Sequence, residues 1–241
     1  MAAPIPLRPR DQRIVAERFM QSADLQVESS VRIASLRVAV VAALAAVMLT
    51  RILGPTDLWH QTQPRTISYT VDMLVNGGRS WLLPLDFGGV PATKPLMVNW
   101  LAAPFVALFG RGSEIAHKLP SLVALAVTTV LLARFGRRAG PGVGWLAALM
   151  CLTTYPFFKL GYLARPDMVL VAFLLGAWWS GTELLLERAR RVALSRVTFW
   201  TCVTGAALTK GPVAILPILY VVAGSKLVAG SWGAMTRVGP L

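Results

Sequence analysis

Charge is scarce in this sequence, and acid is the scarcer sign: 11 Asp and Glu stand against 24 Lys and Arg among 241 residues. Charged residues make up 15% of the chain, where a soluble domain carries about 25%. A well-hydrated soluble surface is therefore not expected. Cysteine is nearly missing. Cys151 and Cys202 both fall inside apolar runs, far apart in the chain, so they read as small buried apolar residues and not as a disulfide framework or a metal site. The segment Met1–Ser30 lacks an uncharged apolar core; it carries Arg8, Arg10, Arg13 and Arg18 and does not read as a cleavable signal peptide. No internal repeat is visible.

What is abundant is apolar. Hydrophobic residues reach 55% and the mean hydropathy is +0.60, a shift toward the membrane class. A formal net charge of +13 and a pI near 11.0 would suit a nucleic-acid binder. Here, however, the basic residues sit at the ends of apolar runs, as the positive-inside rule requires of a membrane protein. No nucleic-acid partner is expected; the expected surroundings are membrane lipid.

The apolar runs are about Ile33–Leu53, Leu96–Phe109, Leu119–Ala133, Val143–Phe158, Met168–Leu186, Val197–Leu208 and Val213–Val228. The expected fold is all-α: a polytopic membrane protein of about six or seven hydrophobic helices, with an outer loop that contains short juxtamembrane helices. Several runs fall short of the roughly 20 residues a straight span needs, so they must borrow flanking residues, thin the bilayer or dip in without crossing. A soluble bundle would show a polar stripe on each helix, and these runs show almost none. The organisation read from this is a basic cytoplasmic tail over residues 1–32 and a membrane module over 33–241, with the outer loop at 54–95. Residues Gln12 to Ser29 read equally as an amphipathic helix on the inner leaflet or as a solvated tail.

Charge sets the orientation. Arg8 to Arg18, Arg32 and Arg37 place the N-terminus inside a cytoplasmic (inner) membrane and the loop outside. Arg134, Arg137 and Arg138 form a second basic cluster, and Arg188, Arg190, Arg191 and Arg196 a third. Both clusters fall inside if 96–109, with Asn99 and Pro104, returns to the outer face instead of crossing. Asp167 and Lys210 then emerge outside, beside the loop.

The chemistry-bearing stretch runs from Asp57 to Trp100, between two apolar segments. Inter-span loops are usually short, and loops longer than about 12–15 residues are usually functional. This one holds Asp57, His60, Asp72, several amides and aromatics, and Lys94 between Thr93 and Pro95. Proline fixes its own backbone and pushes Lys94 toward an extended conformation at a defined depth. A lysine there suits a phosphate at headgroup level, or simply snorkels at a helix end. Asp167, in Leu163-Ala-Arg-Pro-Asp-Met168, reads as a helix N-cap, as an ion pair with Arg165, or as a site residue. Lys210, in Leu208-Thr-Lys-Gly-Pro212, reads as a cation lining a polar cavity or as part of a tight inter-helix turn. His60 is a candidate metal ligand, with a packed interfacial ring the plainer reading; Asp72 reads as a solvated helix residue.

Taken in order, these features resemble a known family. Asn76-Gly77 with Trp81-Leu-Leu-Pro84 comes first, then Gly89, Lys94-Pro95 and Trp100. Phe109-Gly110, Lys118-Leu-Pro-Ser121, Ala164-Arg-Pro-Asp167 and Leu208-Thr-Lys-Gly-Pro212 follow. Over about residues 35–228 the chain is similar to the polytopic GT-C glycosyltransferases that use lipid-linked sugars, in particular the aminoarabinose transferase of lipid A modification and its protein-mannosyltransferase-like relatives.

The resemblance implies transfer of a sugar from a polyprenyl-phosphate donor to an acceptor (lipid, glycan or protein) outside the cytoplasmic membrane. It implies a loop carboxylate as general base, Lys94 on the donor phosphate, and Asp167 and Lys210 in the same polar cavity, paired with each other. The sequence departs from the family at the loop acid. That register falls on Thr62-Gln63-Pro64-Arg65, and Asp57, five residues earlier, is the substitute. The aminoarabinose branch also has a glutamate before the lysine where this chain has Thr93, which removes one ligand from any divalent-metal site. Two other readings use the same residues: a non-catalytic or truncated relative that binds lipid-linked sugar or scaffolds a partner, and a transporter whose path Lys94, Asp167 and Lys210 line.

Overall fold

The computed structural model describes residues 9–53 and 63–239. It is 78% helical, and among the described residues no strand forms beyond one isolated antiparallel bridge between Leu85 and Pro91. In chain order the helices are α1 (Pro9–Leu53), α2 (Gln63–Asn76), α3 (Met97–Phe109), α4 (Glu114–Phe135), α5 (Val143–Thr153), α6 (Tyr155–Leu160), α7 (Asp167–Leu185), α8 (Val192–Lys210) and α9 (Ile215–Leu227). The expected all-α, polytopic membrane class is what the structure shows. Among the described residues four segments are long and apolar enough to cross a bilayer: Glu28–Thr50, Glu114–Arg138, Asp167–Leu185 and Val192–Leu227. The boundary expected at residue 32 falls inside the continuous helix α1.

Apolar side chains on these helices point outward as well as inward. At most 44% of any candidate span is buried within the chain. Val123, Val127 and Val130 form an exposed apolar strip on α4, and Ile215, Leu216 and Leu219 do the same on α9. A soluble protein could not leave such strips in water; in a bilayer they face acyl chains.

Lipid offers no hydrophobic drive between helices, so close approach of small residues has to supply the contact. In the α7–α8 pair, a Cβ on Gly176 would lie 2.8 Å from Cys202 Sγ, and one on Gly205 would lie 2.6 Å from Phe173. With Gly181 against Phe199, these contacts fix an antiparallel register. The α4–α5 pair is tighter still. A Cβ on Gly144 would lie 2.2 Å from the Ala133 carbonyl oxygen. Helix α1 closes the other flank, with Val40 and Val47 in one core with Ala148, Leu152, Leu125 and Met168, and with the Arg37 guanidinium 5.6 Å from the centre of the Trp145 ring.

The bundle has two distinct ends. Arg134 from α4 and Arg138 from the 3-10 turn Gly136–Arg138 after it meet Arg188, Arg190 and Arg191 from the α7–α8 connection around one cavity. Asp167 and Lys210 meet at the opposite end. Helix α3 spans 13 residues, about 20 Å at 1.5 Å per residue, short of the roughly 30 Å hydrocarbon core. It starts beside the Asp167–Lys210 end, and its Ala102 and Val106 pack on Ala116 in the first turn of α4. It therefore does not carry the chain to the arginine end, where the two later arginine clusters meet.

Candidate active site

Helix α2 and the segments around it roof the Asp167–Lys210 end. Pro64 in the first turn suits a helix start, because its missing N–H has no intrahelical partner there anyway. Three buried polar side chains hold the roof down. Gln63 Oε1 accepts the Ala164 N–H at 2.9 Å. Asn99 Nδ2 on α3 donates to the Thr66 carbonyl at 2.6 Å and to Thr70 Oγ1 at 3.0 Å. Ser121 Oγ on α4 donates to the Leu163 carbonyl at 2.6 Å. Each is buried, and losing one partner of a buried bond costs about 1–3 kcal/mol. The Gln63 and Ser121 bonds fix the 161–166 connection that delivers Asp167, and the Asn99 bonds tie α2 to α3.

Between α2 and α3 the chain turns at Gly77 and Gly78, with φ of +59° and +45°, a conformation that glycine adopts without a Cβ clash. Asp72 is the solvated helix residue expected from sequence, and its carboxylate also ties down the loop. Its Oδ2 accepts the Leu85 N–H at 3.0 Å and its Oδ1 accepts from Asn76 Nδ2 at 2.6 Å. Partial desolvation pushes its carboxyl up, but the bonds from Leu85, Asn76 and Ser80 outweigh that and hold its pKa below the usual 3.8. Asp86 received no weight in the sequence reading, although Asp-Phe-Gly-Gly is a legible turn signal. Its Oδ1 accepts from the Gly88 and Val90 N–H groups, each at 2.9 Å, and its Oδ2 lies 3.9 Å from Arg65 Nε.

Beneath this roof lies a cavity of about 420 Å³. Lys94, from the non-helical stretch before α3, lines it together with Asp167, Lys210, Arg165, Arg65 and Tyr69. The structure thus brings together Lys94, Asp167 and Lys210 from three distant segments. Among the described residues the cavity presents four cations (Arg65, Lys94, Arg165, Lys210) and one carboxylate, Asp167. That balance suits an anionic ligand.

Asp167 is the first residue of α7 and makes no N-cap bond; Pro166 holds the cap position. Its Oδ1 lies 2.6 Å from Lys210 Nζ, and its Oδ2 lies 3.2 Å from Arg165 Nε. The antiparallel pairing explains the meeting, since the N-terminus of α7 and the C-terminus of α8 lie side by side. Each charge complements the dipole of its own helix, an acid at the start of α7 and a base at the end of α8. Gly211, at φ +58°, ends α8 behind Lys210, and Pro212 sits in the 3-10 turn Gly211–Ala214 that follows. Lys94 is exposed to the cavity and has no hydrogen-bond or ion-pair partner among the described residues.

Asp57 and His60 lie outside the described residues. Among the described residues no three His, Cys, Asp or Glu side chains converge, and the carboxylate in the cavity is engaged by two cations. These described residues alone do not make a divalent-cation site.

The family described as dolichyl-phosphate-mannose-protein mannosyltransferase matches residues 93–236, more than half of the chain and all of the segments that carry Lys94, Asp167 and Lys210. The protein is therefore a multi-pass membrane glycosyltransferase of the GT-C type. It belongs to the dolichyl-phosphate-mannose-protein mannosyltransferase family. No curated protein and no solved structure matches the chain.

Proposed function

We propose that this glycosyltransferase takes its sugar from a polyprenyl-phosphate donor and passes it to an acceptor on the outer face of the cytoplasmic membrane. The observation that carries this reading is the cation-rich cavity under α2, at the end of the bundle opposite the arginine clusters. A sugar linked to a polyprenyl phosphate presents one phosphodiester charge at headgroup depth. When the bond between the anomeric carbon and the phosphate oxygen breaks, the departing polyprenyl phosphate gains charge. Lys94, exposed to the cavity, stabilises that gain. Lys210 and Arg165 stay tied to Asp167 and shape the wall, so these three act by positioning.

The acceptor hydroxyl attacks the anomeric carbon and gives its proton to a loop carboxylate. Asp57 takes that role in this proposal. Asp57 lies six positions before Gln63, which is fixed beside the Asp167 connection; six residues of chain span at most about 20 Å, a length that allows the carboxylate to serve the cavity.

The test uses the full chain in lipid nanodiscs, radiolabelled polyprenyl-phosphate sugars as donors and membrane extract as acceptor. Wild type should transfer label, Asp57→Asn should lose transfer while keeping donor binding, and Lys94→Ala should lose about 10²–10³-fold in transfer. Full transfer by Lys94→Ala would overturn the assignment of the phosphate site. Donor binding that depends on Lys94, with no transfer under any donor, would identify a binding module in place of an enzyme.

A further inference from the structure

The arginine end of the bundle holds a second cavity, of about 670 Å³, that the transfer reaction does not use. It is a groove between α4 and α8 with α7 as its floor. Gly176, Trp179, Ser180 and Glu183 form the floor, and Leu131 and Leu194 form the apolar sides. Arg134 on α4 and Arg138 just past its end close it on one side, and Arg188, Arg190 and Arg191 close it from the α7–α8 connection. Glu183 is the one carboxylate in this lining, and it is already engaged by Arg138 and by Trp179 Nε1 at 3.2 Å. Arg134, Arg188, Arg190 and Arg191 have no ion-pair partner among the described residues. The backbone start of α8 opens beside them, and Arg191, at its cap position, makes no side-chain cap bond.

We propose that this groove binds an anionic phospholipid, with the headgroup phosphate on Arg134, Arg188 and Arg191 and one acyl chain along the α4–α8 groove. Arginines that only mark a membrane face would spread into solvent. Here they converge on one concave surface with uncompensated charge, the form in which basic inter-helix pockets hold lipid headgroups. Guanidinium forks match phosphate oxygens in pairs. The apolar sides argue for lipid over a free anion. Leu194 is 56% exposed, and Val127, Val130 and Val197, on the same two helices, are also exposed, so the charged end runs directly into lipid-facing surface. The groove lies away from Lys94, so its occupancy reads out independently of sugar transfer.

Native mass spectrometry of the full chain released from detergent, with phosphatidylglycerol, phosphatidylcholine and inorganic phosphate as probes, decides the matter. Phosphatidylglycerol should bind about tenfold or more tightly than phosphatidylcholine, and millimolar phosphate should not displace it. The variant Arg134→Gln/Arg188→Gln/Arg191→Gln should lose that preference. The matched variant Arg79→Gln/Arg111→Gln/Lys226→Gln, with equal loss of charge elsewhere, should keep it within about twofold. Equal binding of both lipids, or equal loss in both variants, overturns the proposal. Displacement by phosphate also overturns it, in favour of a free-anion site. Should the triple variant not stay monodisperse, Arg134→Gln alone, exposed and unpaired among the described residues, should weaken phosphatidylglycerol severalfold, and an unchanged affinity is the refuting result.

Discussion

Replacing Lys210 by methionine keeps the length of the side chain and removes the ammonium 2.6 Å from Asp167 Oδ1. A hydrogen bond to a charged group contributes about 1.5–3 kcal/mol. Two features reduce that figure here. Lys210 is 48% exposed, so water screens the pair, and Arg165 at 3.2 Å remains beside the carboxylate, so Asp167 is not stranded. We therefore expect Lys210→Met to cost about 1 kcal/mol. Asp167→Asn should cost about 2 kcal/mol, because it leaves two cations facing one another without their shared carboxylate. The double variant should cost less than the sum by about 1 kcal/mol, above the roughly 0.6 kcal/mol average of polar pairs between membrane helices. Reversible unfolding by SDS in bicelles measures all four corners of the cycle. Additive losses, within about 0.3 kcal/mol, would refute the argument that this pair ties α7 to α8.

Gly144→Ala should destabilise the chain by about 1–3 kcal/mol or more in the same assay, because the added methyl meets the Ala133 carbonyl at 2.2 Å and both sides are backbone. An unchanged midpoint would show that α4 and α5 can part without loss. Asn99→Leu removes the two bonds to α2 and leaves the buried Thr70 hydroxyl with one partner fewer; a loss of about 2 kcal/mol is expected, with faster hydrogen exchange in α2 while α7 and α8 stay protected. Asp72 has a depressed pKa, so its anchoring of the loop is complete above the usual value of 3.8 and is lost as the pH falls through its lower folded value. Exchange at the Leu85 N–H, corrected for the intrinsic rate, should therefore accelerate on acidification, and Asp72→Asn should abolish that dependence.

The spans were legible because membrane helices announce themselves by composition: each expected run coincides with a helix or a pair of short helices. That α3 stops short of the arginine end accords with the sequence reading, in which a segment 96–109 that returns to the outer face puts both arginine clusters on the side of the N-terminal arginines. The readings of Asp167 as cap, ion pair or site residue could not be separated from sequence. The outcome depends on α7 and α8 being antiparallel in one register, which is set by Gly176 and Gly205 against bulky neighbours. Gln63, Asn99 and Ser121 went unseen as anchors for a related reason. Gln63 bonds a residue 101 positions away, and a single polar side chain in an amphipathic segment carries no mark of its distant partner. Asp86 was legible and overlooked.

The separation of charge between the two ends of the bundle has an electrical consequence. Across a polarised membrane, carrying one elementary charge from face to face is worth about 2.3 kcal/mol per 100 mV. Arg134, Arg138, Arg188, Arg190 and Arg191 sit together at one end of the helices, so each favours, on that order, an orientation with that end on the negative face. The membrane voltage thus adds to the orientational preference of a protein built this way, and a substitution such as Arg190→Glu, at an exposed position, should weaken that preference without disturbing the core.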